Sequence, residues 1–283
     1  MPGVQVLILG RGFVGSYLAA LLAETGTSYA ATTTDGRDGT ISWALGEDGG
    51  SDCSALPVAA VVVVTFPLQG RCAAKRLVDG YAAAGPKGRR GPRWICLGSS
   101  RAFTAVPSDR FTAPDAAVGG ERTEAEEFIA RECGGCVLNL VGLWGGARAP
   151  DKWGRFYTEA RLRKRIEDRS LHLIHGADAA RAIYAVATSD SEAGGRWLVS
   201  DGRVYDILQI IAREHAVRGL LETLLNEEHA QRVLGASRVE DVAMGAAAVA
   251  LRVDSSHFWS RFGLQPRYPY VLGAADPYRP ATE

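Results

Sequence analysis

The run Val4-Gln-Val-Leu-Ile-Leu-Gly10-Arg-Gly12-Phe-Val-Gly15-Ser-Tyr-Leu-Ala-Ala-Leu-Leu-Ala constrains this chain more than any other stretch. It opens as an apolar run interrupted only by Gln5, breaks at three glycines and resumes with apolar residues at helical spacing. A continuous hydrophobic run reads as a parallel strand buried on both faces. The segment therefore predicts strand, tight turn and helix. The helix points its N-terminus at the turn, where unpaired N–H groups attract a phosphate. In a G-x-G-x-x-G of this kind the first glycine makes the sharp turn. The second lets a pyrophosphate approach the backbone, and the third lets the helix pack on the strand. Gly10, Gly12 and Gly15 take these places, with Arg11, Phe13 and Val14 as further contacts to a dinucleotide. Glycines placed for packing alone would not need the third one to face the strand.

The next strand, Ser28 to Thr34, should end where an adenine ribose lies. Asp35 stands about 20 residues past the turn, where a carboxylate holds a ribose 2′-OH and favours NAD. Thr33, Thr34 and Arg37, with Arg11 behind them, can instead hold a 2′-phosphate and favour NADP. NADP is the preferred expectation and NAD the alternative, while Asp35-Gly36 also reads as a plain turn. A short strand is expected near Ile41 to Trp43. Ala59 to Phe66 is a buried strand stopped by Pro67, so Thr65, Phe66 and Pro67 sit at its carboxyl end. Ligands of open α/β sheets bind along that edge. A helix over Leu68 to Ala84, a basic loop over Lys87 to Pro92 and a strand over Arg93 to Ser100 follow. Ser99 and Ser100 again fall at the ligand edge.

A helix over Gly120 to Glu132 and a strand over Val137 to Val141 complete an alternation that predicts an α/β, Rossmann-type doubly wound parallel sheet. From Leu143 onward the pattern changes to an aromatic loop, a charged helix over Thr158 to Asp168 and a strand over Leu171 to His175. Helices over Ala177 to Thr188 and Tyr205 to Arg213 flank a strand at Gly195 to Val199. The rest is helical to about Leu251, and the tail from Phe258 to Tyr270 is expected to pack. One compact unit, 1–283, is expected. In it, 1–142 with about 170–200 form the cofactor core, and 143–169 with 201–283 form a smaller C-terminal cap on the substrate side.

Lys plus Arg total 32 and Asp plus Glu total 32, which leaves no electrostatic footprint for nucleic acid or an acidic membrane. No apolar stretch is long enough to span a bilayer. Met1-Pro2-Gly3 leads so directly into the first strand that no signal peptide is expected. The odd, low count of 5 cysteines suits a reduced compartment, so a cytoplasmic protein with a small-molecule substrate is expected. Cys133-Gly-Gly-Cys136 has redox spacing, but it lies between helix and strand rather than at a helix start, where thiolates are activated.

The chain resembles the extended short-chain dehydrogenase/reductases, in an atypical branch related to sugar-nucleotide epimerases. Gly10-x-Gly12-Phe-Val-Gly15 resembles the extended-type glycine turn, and Ser99-Ser100-Arg-Ala-Phe103 the Ser-Ser-x-x-Val-Tyr-Gly segment. Gly119 to Glu126 resembles the active-site helix. Leu138-Asn-Leu-Val-Gly-Leu-Trp-Gly-Gly-Ala-Arg148 and Ile174-His175-Gly-Ala-Asp178 resemble two later motifs. The resemblance covers residues 4 to about 200 and implies a Rossmann fold, a nicotinamide cofactor and a possible homodimer. It also implies a Tyr and a Lys four apart on the active-site helix. Here those positions hold Val118 and Arg122, the strand arginine is Asn139 and the following tyrosine is Trp144. A valine transfers no proton, and Arg122 donates hydrogen bonds to the cofactor side without being a tunable amine. The catalytic candidates are therefore Ser99 or Ser100 to polarise a carbonyl, and Tyr157, His175 or Asp178 to supply a proton. Three readings stay open: reduction of a carbonyl or imine on a small metabolite, dinucleotide binding without turnover, and a non-redox isomerase, cyclase or dehydratase.

Overall fold

The computed structural model describes residues 3–46, 52–86, 91–189, 193–244 and 249–278. Most of the basic loop at 87–92 and part of the late helical stretch lie outside the described residues. In chain order the elements are β1 (Val4–Leu9), α1 (Phe13–Glu24), β2 (Tyr29–Thr33), β3 (Ile41–Ser42), β4 (Ala59–Val64), α2 (Gly70–Ala84) and β5 (Arg93–Ser99). Then come α3 (Ala116–Glu127), β6 (Cys136–Leu140), β7 (Gly142–Trp144), α4 (Glu159–Glu167), β8 (Ser170–Leu171), β9 (Leu173–His175), α5 (Gly176–Thr188) and β10 (Gly195–Val199). The chain continues through β11 (Tyr205–Asp206), α6 (Ile207–Ile211), α7 (His215–Leu224), α8 (Glu228–Leu234), α9 (Val239–Met244) and α10 (Ser256–Arg261).

Seven strands form one sheet in the order β10-β6-β5-β4-β1-β2-β3, every pair parallel. The chain winds outward from β1 to β3, then returns to β4 and winds the other way. The order thus reverses between β1 and β4, and a crevice opens there beyond the carboxyl ends of the strands. Alternate residues explain why these strands read as continuous apolar runs. Val6, Ile8, Val61 and Val63 enter one core cluster with Leu18 and Leu22 of α1 and Ile183 of α5. Leu7, Leu9, Val62 and Val64 enter the other, with Leu77 of α2 and Ala125 of α3. Both faces are covered, so these alternating positions are all apolar. A third cluster joins Trp144, Leu162, Leu173, Ile207, Leu221 and Tyr270 outside the seven-stranded sheet.

Three expectations need correction. The strand expected over Leu171 to His175 is two. β8 pairs antiparallel with β11, whereas β9 pairs parallel with the unanticipated β7. His172, at the break, is buried and does not face outward: its Nδ1 lies 2.9 Å from the Arg203 carbonyl, and its Nε2 accepts from the Arg252 N–H. The helix expected from Gly120 starts earlier, at Ala116, because the Asp115 carboxylate accepts from the Ala117 and Val118 N–H groups. It breaks at Gly120, where φ is 53° and ψ −147°, and ends in a wider turn over Phe128–Glu132. The helix expected over Tyr205 to Arg213 is the short α6, preceded by strand β11. Among the described residues no helix is long and apolar enough to cross a membrane.

Candidate functional site

The glycine turn lies at the crevice. The Gly10 N–H donates to Thr32 Oγ1 at 3.0 Å and the Arg11 N–H to the Thr32 carbonyl at 2.7 Å, which fastens the turn to β2. Gly10 takes φ of 95°, a left-handed value, and a side chain there would meet Thr65 Oγ1 and the Phe66 ring. A Cβ on Gly15 would stand 2.4 Å from the Gly10 carbonyl oxygen, so α1 presses directly on the turn. A Cβ on Gly12 would meet nothing within 4 Å, so the backbone there faces open space. The first-turn N–H groups of α1, from Phe13, Val14 and Gly15, have no helical acceptor and point to the same side. This is a backbone cradle with the geometry a diphosphate needs.

Beside the cradle, Arg37 and Asp35 form an exposed ion pair of 3.0 Å. That bond holds the Asp35 carboxyl below its usual range. Arg11 Nη1 donates to the Asp38 carbonyl at 3.0 Å, bringing a second guanidinium to the same corner. Thr34 is exposed, but Thr33 is buried and its hydroxyl is paired with Thr40 at 2.7 Å. On the β4 side the Thr65 hydroxyl donates to the Leu9 and Gly10 carbonyls, so it supports the turn from below. Phe66 is half-buried, 6.4 Å from the Trp43 ring, and Pro67 is exposed beyond it.

Ser99 ends β5 and Ser100 begins the short helical turn Ser100–Ala102, both half-buried. Ser99 Oγ accepts from the Arg101 N–H at 3.3 Å, which leaves its own O–H as a donor. Beneath them lies a charged network that the sequence did not reveal. Glu126, 4 % exposed, takes Arg122 Nε at 2.9 Å, Arg196 Nη1 at 2.7 Å and Asn139 Nδ2 at 2.8 Å. Asn139 also donates to the Ser99 carbonyl at 3.2 Å, and Arg122 to the Leu97 carbonyl at 3.0 Å. The guanidinium absent from position 139 returns from the neighbouring strand as Arg196, which is why a single-strand motif did not find it. Two of the Arg122 nitrogens are thus turned toward β5 and Glu126. Val118 is half-exposed, and the break at Gly120 separates it from Arg122, so the two do not share one helical face.

The other catalytic candidates have partners of their own. Tyr157 closes the short helical segment Pro150–Phe156 and packs on the third hydrophobic cluster. His175 is fully buried as the N-cap of α5: Nδ1 accepts from the Ala177 N–H at 3.0 Å, and Nε2 lies 3.2 Å from Asp276. The bond at Nδ1 places the ring proton on Nε2, facing that carboxylate. Rings of Tyr17, Trp144, Tyr268 and Tyr278 surround it. Asp178 is fully buried and accepts from the Arg267 and Tyr268 N–H groups and from Arg181. All three are donors to a carboxylate, so Asp178 anchors the C-terminal segment. Arg148, which sequence reasoning left without a role, lies over the Phe13 ring at 4.3 Å, at the start of α1. The Cys133 and Cys136 thiols are both pushed up by burial, so neither is an activated thiolate. Among the described residues no cluster of metal-ligating side chains occurs.

Sheet order, glycine turn and crevice together define a Rossmann-type fold of the kind found in NAD-dependent epimerases, dehydratases and short-chain dehydrogenase/reductases. Solved structures of that kind match along nearly the whole chain. MoeE5 in complex with UDP-glucose and NAD is 17% identical at a TM-score of 0.59, covering 94% of each chain. UDP-N-acetylglucosamine 4-epimerase from Bacillus cereus is 14% identical at a TM-score of 0.59, again covering 94% of each chain. Vestitone reductase from alfalfa is 18% identical at 0.59, with the same coverage. No family profile matches the sequence, and no curated protein matches it.

Proposed function

We propose that this chain binds NADP(H) across the crevice between β1 and β4 and acts as an atypical extended-type dehydrogenase/reductase, reducing a carbonyl or imine on a small metabolite. The observation that carries the reading is the open backbone at Gly12, set against the tight contact of Gly15 on Gly10. The first leaves room for a ligand at the head of α1, and the second fixes the helix that would receive it. The bound nicotinamide supplies a hydride. What the chain supplies is position: the α1 amides hold the diphosphate, and Ser99, with its O–H free to donate, faces the substrate oxygen from the end of β5. The Glu126–Asn139 network holds the Ser99 carbonyl and so fixes that strand end.

NADP is preferred because Arg37 and Arg11 bring two guanidiniums to the end of β2 while Asp35 is already engaged by Arg37. A 2′-phosphate would insert between these cations, whereas a free ribose hydroxyl would compete with Arg37 for one carboxylate. The test is a fluorescence titration with NADPH and NADH. The wild type should favour NADPH, and Arg37→Ala should lower that preference by about tenfold, the worth of one charge-assisted hydrogen bond. Substrate-dependent loss of NADPH, slowed in Ser99→Ala, would support the reductase. Equal affinities with no effect of Arg37→Ala would refute the NADP assignment. A second reading, binding without turnover, is favoured by one feature: Val118 and Arg122 stand on opposite sides of the Gly120 break, so the usual acid–base pair has no equivalent there.

A further inference from the structure

The cap carries a cleft of about 370 Å³, lined by Asp151, Lys152, Arg155, Arg213 and Glu214 and closed on one side by the strap at Leu272. That volume suits a small molecule. None of these residues belongs to the seven-stranded sheet or to the glycine turn. Among the described residues Lys152, Arg155 and Arg213 form no ion pair, although two carboxylates line the same cleft. Glu214 is fixed in the wall. Its Oε2 stands 2.2 Å from where a Cβ on Gly154 would lie, so only glycine lets it in, and that oxygen is buried without a hydrogen-bond partner. A buried acceptor left unmade is costly, and a donor from a water or a ligand would satisfy it.

We infer that this cleft is a second small-molecule site, separate from the crevice, for a phosphorylated polyol of the sugar-phosphate class. Three cations without carboxylate partners receive the phosphate, as guanidinium and ammonium groups do. A ligand hydroxyl supplies the donor that Glu214 lacks, through a small rotation of the carboxylate. The strap closes over the ligand, so binding also holds the C-terminal segment.

Isothermal titration of the full chain with glucose 6-phosphate, inorganic phosphate and glucose tests this. Glucose 6-phosphate should bind saturably, inorganic phosphate more weakly, and glucose not at all. Arg213→Gln, an exposed change that leaves the core untouched, should weaken glucose 6-phosphate by about tenfold. Glu214→Gln should weaken glucose 6-phosphate but not inorganic phosphate. Gly12→Ala, which alters only the crevice, should leave all three titrations unchanged, so this site is tested independently of dinucleotide binding. A flat titration with glucose 6-phosphate, or binding that Arg213→Gln leaves intact, overturns the inference. So does binding that Gly12→Ala abolishes, since it would place the ligand in the crevice.

Discussion

Replacing Gly12 and Gly15 separately by alanine divides the glycine turn into its two jobs. At Gly15 the new carbon would stand 2.4 Å from the Gly10 carbonyl oxygen and 3.4 Å from Ile8 Cγ2. The nearest atom is backbone, so helix and turn must part. Alanine returns roughly 1 kcal/mol of helix propensity, against roughly 1–3 kcal/mol for forcing a carbon into a filled contact. Where the contact is this short the upper end applies, and Gly15→Ala should destabilise by about 1–2 kcal/mol, a fall of roughly 2–8 °C in Tm for a chain of this size. At Gly12 the new carbon meets nothing within 4 Å, and φ is −84°, an ordinary value for an L residue. Gly12→Ala should therefore hold Tm within about 1–2 °C. It should still weaken NADPH by roughly tenfold or more, because the methyl stands where the diphosphate must approach. Thermal scans paired with NADPH titrations read both effects. A stable Gly12→Ala that binds NADPH within about threefold of the wild type, a difference under 1 kcal/mol, would refute the assignment of this turn to a dinucleotide.

Burial lifts the Asp201 carboxyl to about 6, even though the Tyr205 hydroxyl and the Arg203 N–H donate to it. The folded pKa exceeds the unfolded one, so the folded state binds the proton more tightly and this group lowers stability as pH rises from about 4 to 6. Asp201→Asn should remove a fall of up to about 3 kcal/mol over that window, read as the difference between the two denaturation-against-pH curves; parallel curves would contradict it. Asp178→Asn presents an amide N–H to the Arg267 and Tyr268 N–H donors, which should release the C-terminal strap. Faster tryptic cleavage at Arg267 would report this, and unchanged cleavage would show that the strap is held elsewhere.

The sheet was legible because its signal is local. Strands buried on both faces are apolar at most positions, and β1, β4, β5 and β6 announce themselves within their own residues. The glycine turn is legible for the same reason: each glycine answers to a neighbour a few residues away. What escaped is long-range. Nothing near Leu171 says that it pairs with Tyr205 while Leu173 pairs with Gly142, because two separate layers each claim half of one apolar run. Glu126 reads as one more exposed helical acid until Arg196, from β10, and Asn139, from β6, are seen to meet it. Asp178 and His175 looked like proton donors in a motif. Their partners lie about 90 to 100 residues onward, in a tail whose path no local pattern fixes. The pair Gly119-Gly120 was the one visible sign of the break in α3.

That break decides how the missing tyrosine is to be understood. If only a side chain had been exchanged, restoring it would restore the chemistry. The backbone says otherwise. Gly120 leaves the helix at φ 53°, and a Cβ on Gly119 would overlap the Thr123 hydroxyl and press the Ala102 methyl at 3.0 Å. The first turn of α3 is thus drawn down onto the Ser100–Ala102 turn, and Val118 is left 55 % exposed. A tyrosine at 118 would point to water. A lysine at 122 would give up the planar fork that now spans Glu126 and the Leu97 carbonyl. Val118→Tyr combined with Arg122→Lys should therefore leave NADPH oxidation on a carbonyl panel at or below the wild-type rate. A gain of about tenfold or more, worth about 1.4 kcal/mol in the barrier, would mean that the helix closes across Gly120 in solution, and that the loss was one of side chains alone.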